Sequence, residues 1–399
     1  MTRLTLDDVY EHISGVCFKT GPPGQVGAET EWFVVDRREP ERHVPLGLLR
    51  TAMEAAGPPP AGSRITYEPG GQLELSSQPQ RGVVAAHAAL AADIAHVGGH
   101  LAREGLALLG RGTDPRDLRA PFQLDEGRYR CMRAYFGEPG LAMMCATASL
   151  QVCLDIGSDE KDATRRWQLA HALGPMLVAA FANSPRGGHR SARQVVWEAL
   201  DRGRTGPVVG DDPVTAWAEY ALDARVMLLR DGWVPDPGMT FREWLTDGRP
   251  DVTDLAYHLT TLFPPVRPQG WLELRMIDAL PEPYWPVPIA VVAALIEDPL
   301  AAEVATEATE PAAGRWRQAA RLGLADPVLA GAARRCFEAA RDALPRLGAS
   351  ALVPLVDDYT ERFVARGLCP ADVAVENPLD LMSGGSGAGV PAGKEEQWT

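Results

Sequence analysis

Residues 27–36 read GAETEWFVVD, a run with the β-branched and aromatic content of a β-strand and two carboxylates, Glu29 and Glu31, in its middle. Side chains alternate along a strand, so residues two apart share a face at a spacing of about 7 Å. Glu29, Glu31 and Phe33 therefore fall on one face, and Ala28, Thr30 and Trp32 on the other. Glutamate is a poor strand former, so two on one face need a reason.

Three more stretches repeat the pattern. In RITYEPGGQLELSSQP (64–79), Pro69 and Gly70 have the residue types for the centre of a type II turn. The resulting hairpin sets Glu68 at its rim, Gln72 and Glu74 on one face, and Leu73 and Leu75 on the other. In ASLQVCLDIG (148–157), Leu150, Val152 and Leu154 oppose Ser149, Gln151, Cys153 and Asp155. In GWLELRMID (270–278), Leu272, Leu274 and Met276 oppose Trp271, Glu273 and Arg275.

Any one such strand reads as an antiparallel strand with its polar face in water. Four together, loaded with Glu where solvent faces carry Thr, Lys and Ser, argue for a shared acidic face. Converging carboxylates repel one another unless a cation lies between them. Mg2+ takes carboxylate oxygens and keeps positions open for water and substrate phosphates. Zinc is disfavoured, because no Cys or His cluster has ligand spacing. Arg275, on the Glu273 face, is a charge-assisted donor suited to a transferring phosphoryl group.

Around these strands the chain is helical. Apolar positions recur at helical spacing over Val83–Leu109 and Ala163–Ala182, and Thr240 and Glu243 stand in capping-box register. The Ala-rich region Val287–Arg366 is helical too, with Asp326 as N-cap before Pro327 and a break at Pro345–Gly348. Helices without regular βαβ alternation predict an α+β fold with a largely antiparallel sheet. One catalytic domain is expected over residues 1–380, followed by a flexible Gly/Ser-rich tail over 381–399.

The 399 residues are 46% hydrophobic and carry a formal charge of -14, which disfavours nonspecific nucleic-acid binding and anionic membranes. Neither a signal peptide nor a membrane-length apolar run is read, so the cytoplasm is the expected location. Lysine occurs only at Lys19, Lys161 and Lys394, which leaves anion recognition to arginine. The six scattered cysteines read as reduced, packed thiols, Cys145 included. His96 and His100 lack the intervening Glu of a zinc helix. A P-loop, a strand-led GxGxxG and a GxSxG elbow are all missing, which excludes P-loop NTPases and leaves Rossmann cofactors and elbow hydrolases unsupported.

The segments GAETEWF, YEPGGQLELSSQP, MMCATASLQVCLD, FANSPRGG, ARQVVWEALDRGRTG, TFREWL and HLTTLFPPVRPQGWLELRMID occur in order between residue 27 and about residue 278. In this the chain resembles the glutamate-cysteine ligases of the class that includes the plant enzymes, most closely the ergothioneine-pathway (EgtA) type. The resemblance implies a glutamine-synthetase-like carboxylate-amine ligase fold with a funnel-shaped antiparallel sheet and surrounding helices. It implies ATP and Mg2+ as cofactors and L-glutamate and L-cysteine as substrates, joined through a γ-glutamyl phosphate.

By the same resemblance Glu29, Glu31, Glu68, Glu74 and Glu273 are metal ligands. Gln151 stands where more distant ligases have a metal-binding histidine, and Arg275 matches a phosphate-facing arginine. Arg193 matches the arginine that holds the glutamate α-carboxylate. Gln72, Thr147, Arg130 and Arg133 are candidate substrate contacts, and Trp197 and Tyr220 are candidates for an aromatic cysteine pocket. The regulatory disulfides of plant relatives have no counterpart read here. A different amine acceptor, or a noncatalytic sensor on the same fold, are the alternative readings.

Overall fold

The structure, a computed structural model, describes residues 3–116 and 119–373. The tail expected over 381–399 lies outside them. Eight strands form one sheet: β1 (Gln25–Asp36), β2 (Arg64–Tyr67), β3 (Leu73–Ser76), β4 (Gln80–Arg81), β5 (Leu106–Leu109), β6 (Ser149–Asp155), β9 (Val266–Pro268) and β10 (Trp271–Asp278). A small separate ribbon pairs β7 (Leu228–Leu229) with β8 (Val234–Pro235). The main order is β2-β3-β1-β6-β10-β9, with β4 and β5 also on β1, and every pairing is antiparallel. The expected α+β class with an antiparallel sheet is what is found.

One sheet face is core. Leu73, Leu75, Leu150, Val152, Leu154, Leu272 and Leu274 are all fully buried. They belong to the same apolar cluster as the helices Val83–Arg103, Glu160–Ala180 and Pro286–Glu297. The last of these is buried from Pro286 through Ile296, which is why it is apolar all round. Asp326 caps Pro327–Arg346 by accepting from the amides of Val328 and Leu329, and Thr240 with Glu243 forms the capping box of Phe241–Thr246. No helix among the described residues is long and apolar enough to cross a membrane.

Three local readings need correcting. The helix begun at Val83 stops at Arg103; Gly105 turns the chain at φ +78°, and Leu106–Leu109 pairs with β1 as a strand. Apolar residues at Leu106, Leu108 and Leu109 satisfy either period, so periodicity alone could not separate the two. In the hairpin, Gly71 N–H donates to Glu68 C=O at 2.8 Å, with Pro69 and Gly70 central, but the positive φ (+90°) falls on Gly71. A type II turn needs it at Gly70; the observed turn is therefore not type II. Gly70 is required for another reason, since a Cβ there would lie 2.1 Å from the Cys145 carbonyl oxygen.

The third correction lies in β10. Its register against β6 shifts between Leu274 and Ile277, so that Leu274 opposes Val152 while Ile277, not Met276, opposes Leu150. The extra residue is a β-bulge immediately after Arg275, the kind of irregularity that re-aims a side chain beside a site.

Candidate active site

The sheet's other face floors a cavity of about 430 Å3. Register explains its lining: Glu31 sits directly across from Glu74, Glu29 across from Gln151, and Glu273 across from Cys153 on one side and Arg267 on the other. Like charges directly opposed across an antiparallel pair are destabilising, so the Glu31–Glu74 pair calls for compensation. Glu68 joins them from the hairpin rim. One carboxylate oxygen each from Glu31, Glu68 and Glu74 lie within 4.8 Å of one another.

Protein donors hold these acids in place. Glu31 accepts from Ser149 N at 2.7 Å, Ser149 Oγ at 2.9 Å and Gln151 Nε2 at 3.1 Å. Glu74 accepts from Thr66 Oγ1 at 2.5 Å and Ser76 Oγ at 3.1 Å. Gln151 passes the network on, its Oε1 accepting from Arg275 Nη1 at 2.5 Å. Arg275 Nη1 also donates to Glu273 at 2.9 Å, and Arg267 donates to the same carboxylate through Nε at 2.7 Å and Nη2 at 3.1 Å.

The electrostatics divide the acids into two kinds. Burial, then the charges of Glu273 and Glu74, push Glu29 up to about 8. Burial and neighbouring carboxylates likewise raise Glu31, and raise Glu68 well above the usual range. Burial acts on Glu273 in the same direction, but the Arg267 and Arg275 guanidiniums overcome it and hold that carboxyl at about 2. Glu29, Glu31 and Glu68 thus each feel the charge of Glu74 with too little positive charge to offset it, and a divalent cation would supply it. The donors are all carboxylate oxygens, which fits a hard cation such as Mg2+.

The family model described as "Glutamate-cysteine ligase family 2(GCS2)" matches residues 25–377. The chain belongs to this ligase family. It is 43% identical to "Glutamate--cysteine ligase EgtA" of Mycobacterium tuberculosis, covering 91% of this chain and 88% of that one. The chloroplastic glutamate-cysteine ligase of Arabidopsis thaliana is 31% identical, covering 70% of this ligase and 60% of the plant chain. Among solved structures, a glutamate-cysteine ligase from Francisella tularensis in complex with AMP aligns with a TM-score of 0.53 at 11% identity, over 88% of this chain and 84% of that chain. That likeness concerns the fold.

Of the residues singled out in the ligase's sequence, Glu29, Glu31, Glu68, Glu74, Gln151, Glu273 and Arg275 all line the one cavity, with Thr147 and Trp197. Arg193, only 3% exposed, sits in an annex behind Arg275, and its Nη2 donates to the Arg275 carbonyl at 2.9 Å. Its Nε and Nη1 are buried without hydrogen-bond partners, and Asp278 Oδ1 lies 3.9 Å from Nη1. Gln72 does not reach the cavity. Its amide donates to the Met144 and Thr147 carbonyls and so ties the hairpin to the chain entering β6.

Two arginines and one tyrosine are directed elsewhere. Arg130 pairs with exposed Asp125, and Arg133 lies over the Phe122 ring at 5.7 Å. Tyr220 stacks on Trp217 and donates to the Gly206 carbonyl, away from the cavity. On the helix Gly127–Ala146, which carries Arg130 and Arg133, Arg128 and Met132, four residues apart, line the cavity, so the helical phase favours 128 over 130 and 133. Arg267 was not legible because β9 is a three-residue strand between prolines, without alternation to read. Arg64, Met143, Phe263, Gln269 and Trp271 are also among the walls. A second cavity of about 710 Å3 adjoins the first and shares Glu29, Arg64 and Trp271 with it.

Proposed function

We propose that this ligase joins the γ-carboxylate of L-glutamate to the amine of L-cysteine, coupled to cleavage of ATP, giving γ-glutamylcysteine, ADP and phosphate. The single observation that carries the reading is the convergence of the Glu31, Glu68 and Glu74 carboxylates in the cavity that Arg275 also lines. Identity with the EgtA relative supports the amino-acid substrates and, through them, a role in ergothioneine biosynthesis; the cytoplasm is the location proposed for it. Residues 1–380 form its one catalytic domain in this reading.

Glu31, Glu68 and Glu74, with Glu29 and Glu273 beside them, would hold Mg2+. The bound ion supplies charge neutralisation and alignment for the β- and γ-phosphates. The chain's own residues do the rest. The adjoining cavity has room for a nucleoside, and a nucleotide seated there points its phosphates past Arg64 toward the acids. The buried Nε and Nη1 of Arg193 hold the α-carboxylate of glutamate, a pairing that satisfies otherwise orphaned donors.

Glutamate anchored there extends its γ-carboxylate past Arg275. One γ-oxygen bonds to the terminal phosphorus as the bond to ADP breaks. Arg275, oriented by Gln151 and Glu273 through Nη1, offers its remaining N–H groups to the charge that builds on the phosphoryl oxygens. The cysteine amine then attacks the acyl carbon, the carbon–oxygen bond to phosphate breaks, and the proton lost from nitrogen leaves with the phosphate. Trp197, Phe263 and Met143 wall this chamber with apolar surface, which keeps water from the acyl phosphate.

The test is ADP release with ATP, Mg2+, glutamate and a panel of amines. Release that depends on cysteine is expected; release indifferent to cysteine, or driven by another amine, rejects the reading.

A further inference from the structure

Arg267 lines the cavity, and the chemistry above leaves it without a task. It faces Glu273 across the β9–β10 ladder and grips both oxygens of that carboxylate, at 2.7 and 3.1 Å. Glu273 is 1% exposed and also receives Arg275. Among the described residues no guanidinium hydrogen-bonds to Glu29, Glu31, Glu68 or Glu74 in this way. One acid of the five is therefore already neutralised by the protein.

Arg267 also has a second acceptor for the same two N–H groups. With its amide oriented to satisfy both its atoms, Gln269 brings its oxygen within 2.8 Å of Arg267 Nε and 2.9 Å of Nη2. The fork is thus shared between a charged acceptor and a neutral one. If Glu273 turned toward a metal ion, Arg267 would keep a partner and would stay at the cavity wall with less of its charge neutralised.

We propose that Arg267 is a positioning residue that acts as the resident counter-cation of Glu273, holding that carboxylate until a divalent cation takes it, then resting on Gln269 and turning its charge toward the nucleotide phosphates. The proposal rests on the acids taking a divalent cation, as argued above. Guanidinium and metal compete for the same two oxygens, so each weakens the other, and that coupling is reciprocal.

The test uses the full chain without nucleotide and Mn2+ as the probe, with free Mn2+ read by electron paramagnetic resonance. Removing the competitor in Arg267→Gln tightens Mn2+ binding by about fivefold or more. Arg267→Lys falls between wild type and Arg267→Gln. In the same variant binding of the Mg2+–ATP complex, read by calorimetry, weakens. In a Glu273→Gln background the Mn2+ gain disappears, because the contested oxygens are gone.

A folded Arg267→Gln chain that binds Mn2+ no tighter overturns the proposal, as does a gain that persists with Glu273→Gln and so reflects charge alone. Gln269→Leu gives an independent reading of opposite sign: without the fallback acceptor Arg267 clings to Glu273, and Mn2+ binds more weakly; unchanged or tighter binding refutes it. Wild-type chain that binds no Mn2+ and forms no γ-glutamylcysteine would instead remove the parent reading. Normal wild-type binding and turnover with no shift in these variants would remove only the role of Arg267.

Discussion

Replacing Arg275 by alanine separates catalysis from stability more cleanly than any other single change in the site. Among the described residues its guanidinium hydrogen-bonds through Nη1 alone, at 2.5 Å to Gln151 and 2.9 Å to Glu273, and it lies over the Phe263 ring at 5.9 Å. Glu273 keeps Arg267 on both oxygens after the change, so no buried charge is orphaned. Loss of hydrogen bonding to a charged group then costs the fold about 1.5–3 kcal/mol, within what a domain of this size withstands. The catalytic loss is larger. A donor aimed at developing transition-state charge is worth a factor of about 10² to 10³ in kcat, or about 2.7–4 kcal/mol. Steady-state ADP release, measured beside a thermal melt, should show kcat down by at least about a hundredfold in a chain that still melts cooperatively. Arg275→Lys should recover little, because an ammonium cannot span Gln151, Glu273 and a phosphoryl oxygen as a planar fork does. Turnover within tenfold of wild type in a folded Arg275→Ala chain would refute the role.

Three further changes probe the surroundings. Glu31→Gln removes one of the three converging carboxylates while retaining an acceptor for Ser149, so the Mg2+ concentration for half-maximal activity should rise at least about tenfold; an unchanged titration would remove Glu31 from the ligand set. Gly70→Ala drives a Cβ into the Cys145 backbone, and urea melts should show a loss of about 1–3 kcal/mol or more; wild-type stability would mean the hairpin is not packed there. Burial holds His258 at about 3 and His171 at about 4 in the folded chain, below the unfolded value of about 6.5. The stability from keeping them neutral is complete above pH 6.5 and is lost as pH falls toward 4, at about 1.4 kcal/mol per pH unit for each. Glu29, Glu31 and Glu68, held above the ordinary carboxyl range, keep protons that the unfolded chain gives up and so act in the opposite direction. The histidine contribution is therefore read as a difference, His258→Gln losing about 1.4 kcal/mol less per pH unit than wild type in urea melts as pH falls from about 6.5 to about 4.5; equal slopes would contradict it.

Much of the site was legible because a strand's two-residue period is rigid. Once Glu29 and Glu31 share a face, Trp32 must lie behind them, and the same rule sorts Glu74 from Leu75 and Glu273 from Leu274. What periodicity cannot convey is which strands become neighbours, and there the apposition of Arg267 with Glu273 was invisible. It fails again where the backbone leaves its period. The bulge after Arg275 sets Ile277 rather than Met276 opposite Leu150, with both buried in the core, and the glycine at φ +90° is the second of an adjacent pair. On helices the limit was phase: Arg128, Arg130 and Arg133 are equivalent by composition, and only the start of the helix at Gly127 and its packing decide that Arg128 faces the acids. Aromatic candidates divided for a similar reason, Trp197 reaching the cavity while Tyr220 is spent on Trp217.

The claim that these acids and Arg275 form a phosphoryl-transfer site leading to an acyl phosphate is open to one isotopic measurement. Glutamate labelled with oxygen-18 in its γ-carboxylate is incubated with the full chain, ATP, Mg2+ and cysteine, and the released phosphate is analysed by mass spectrometry. One labelled oxygen per phosphate is predicted, since the γ-oxygen bonded to phosphorus leaves with it when the amine attacks. Unlabelled phosphate alongside γ-glutamylcysteine would contradict the mechanism.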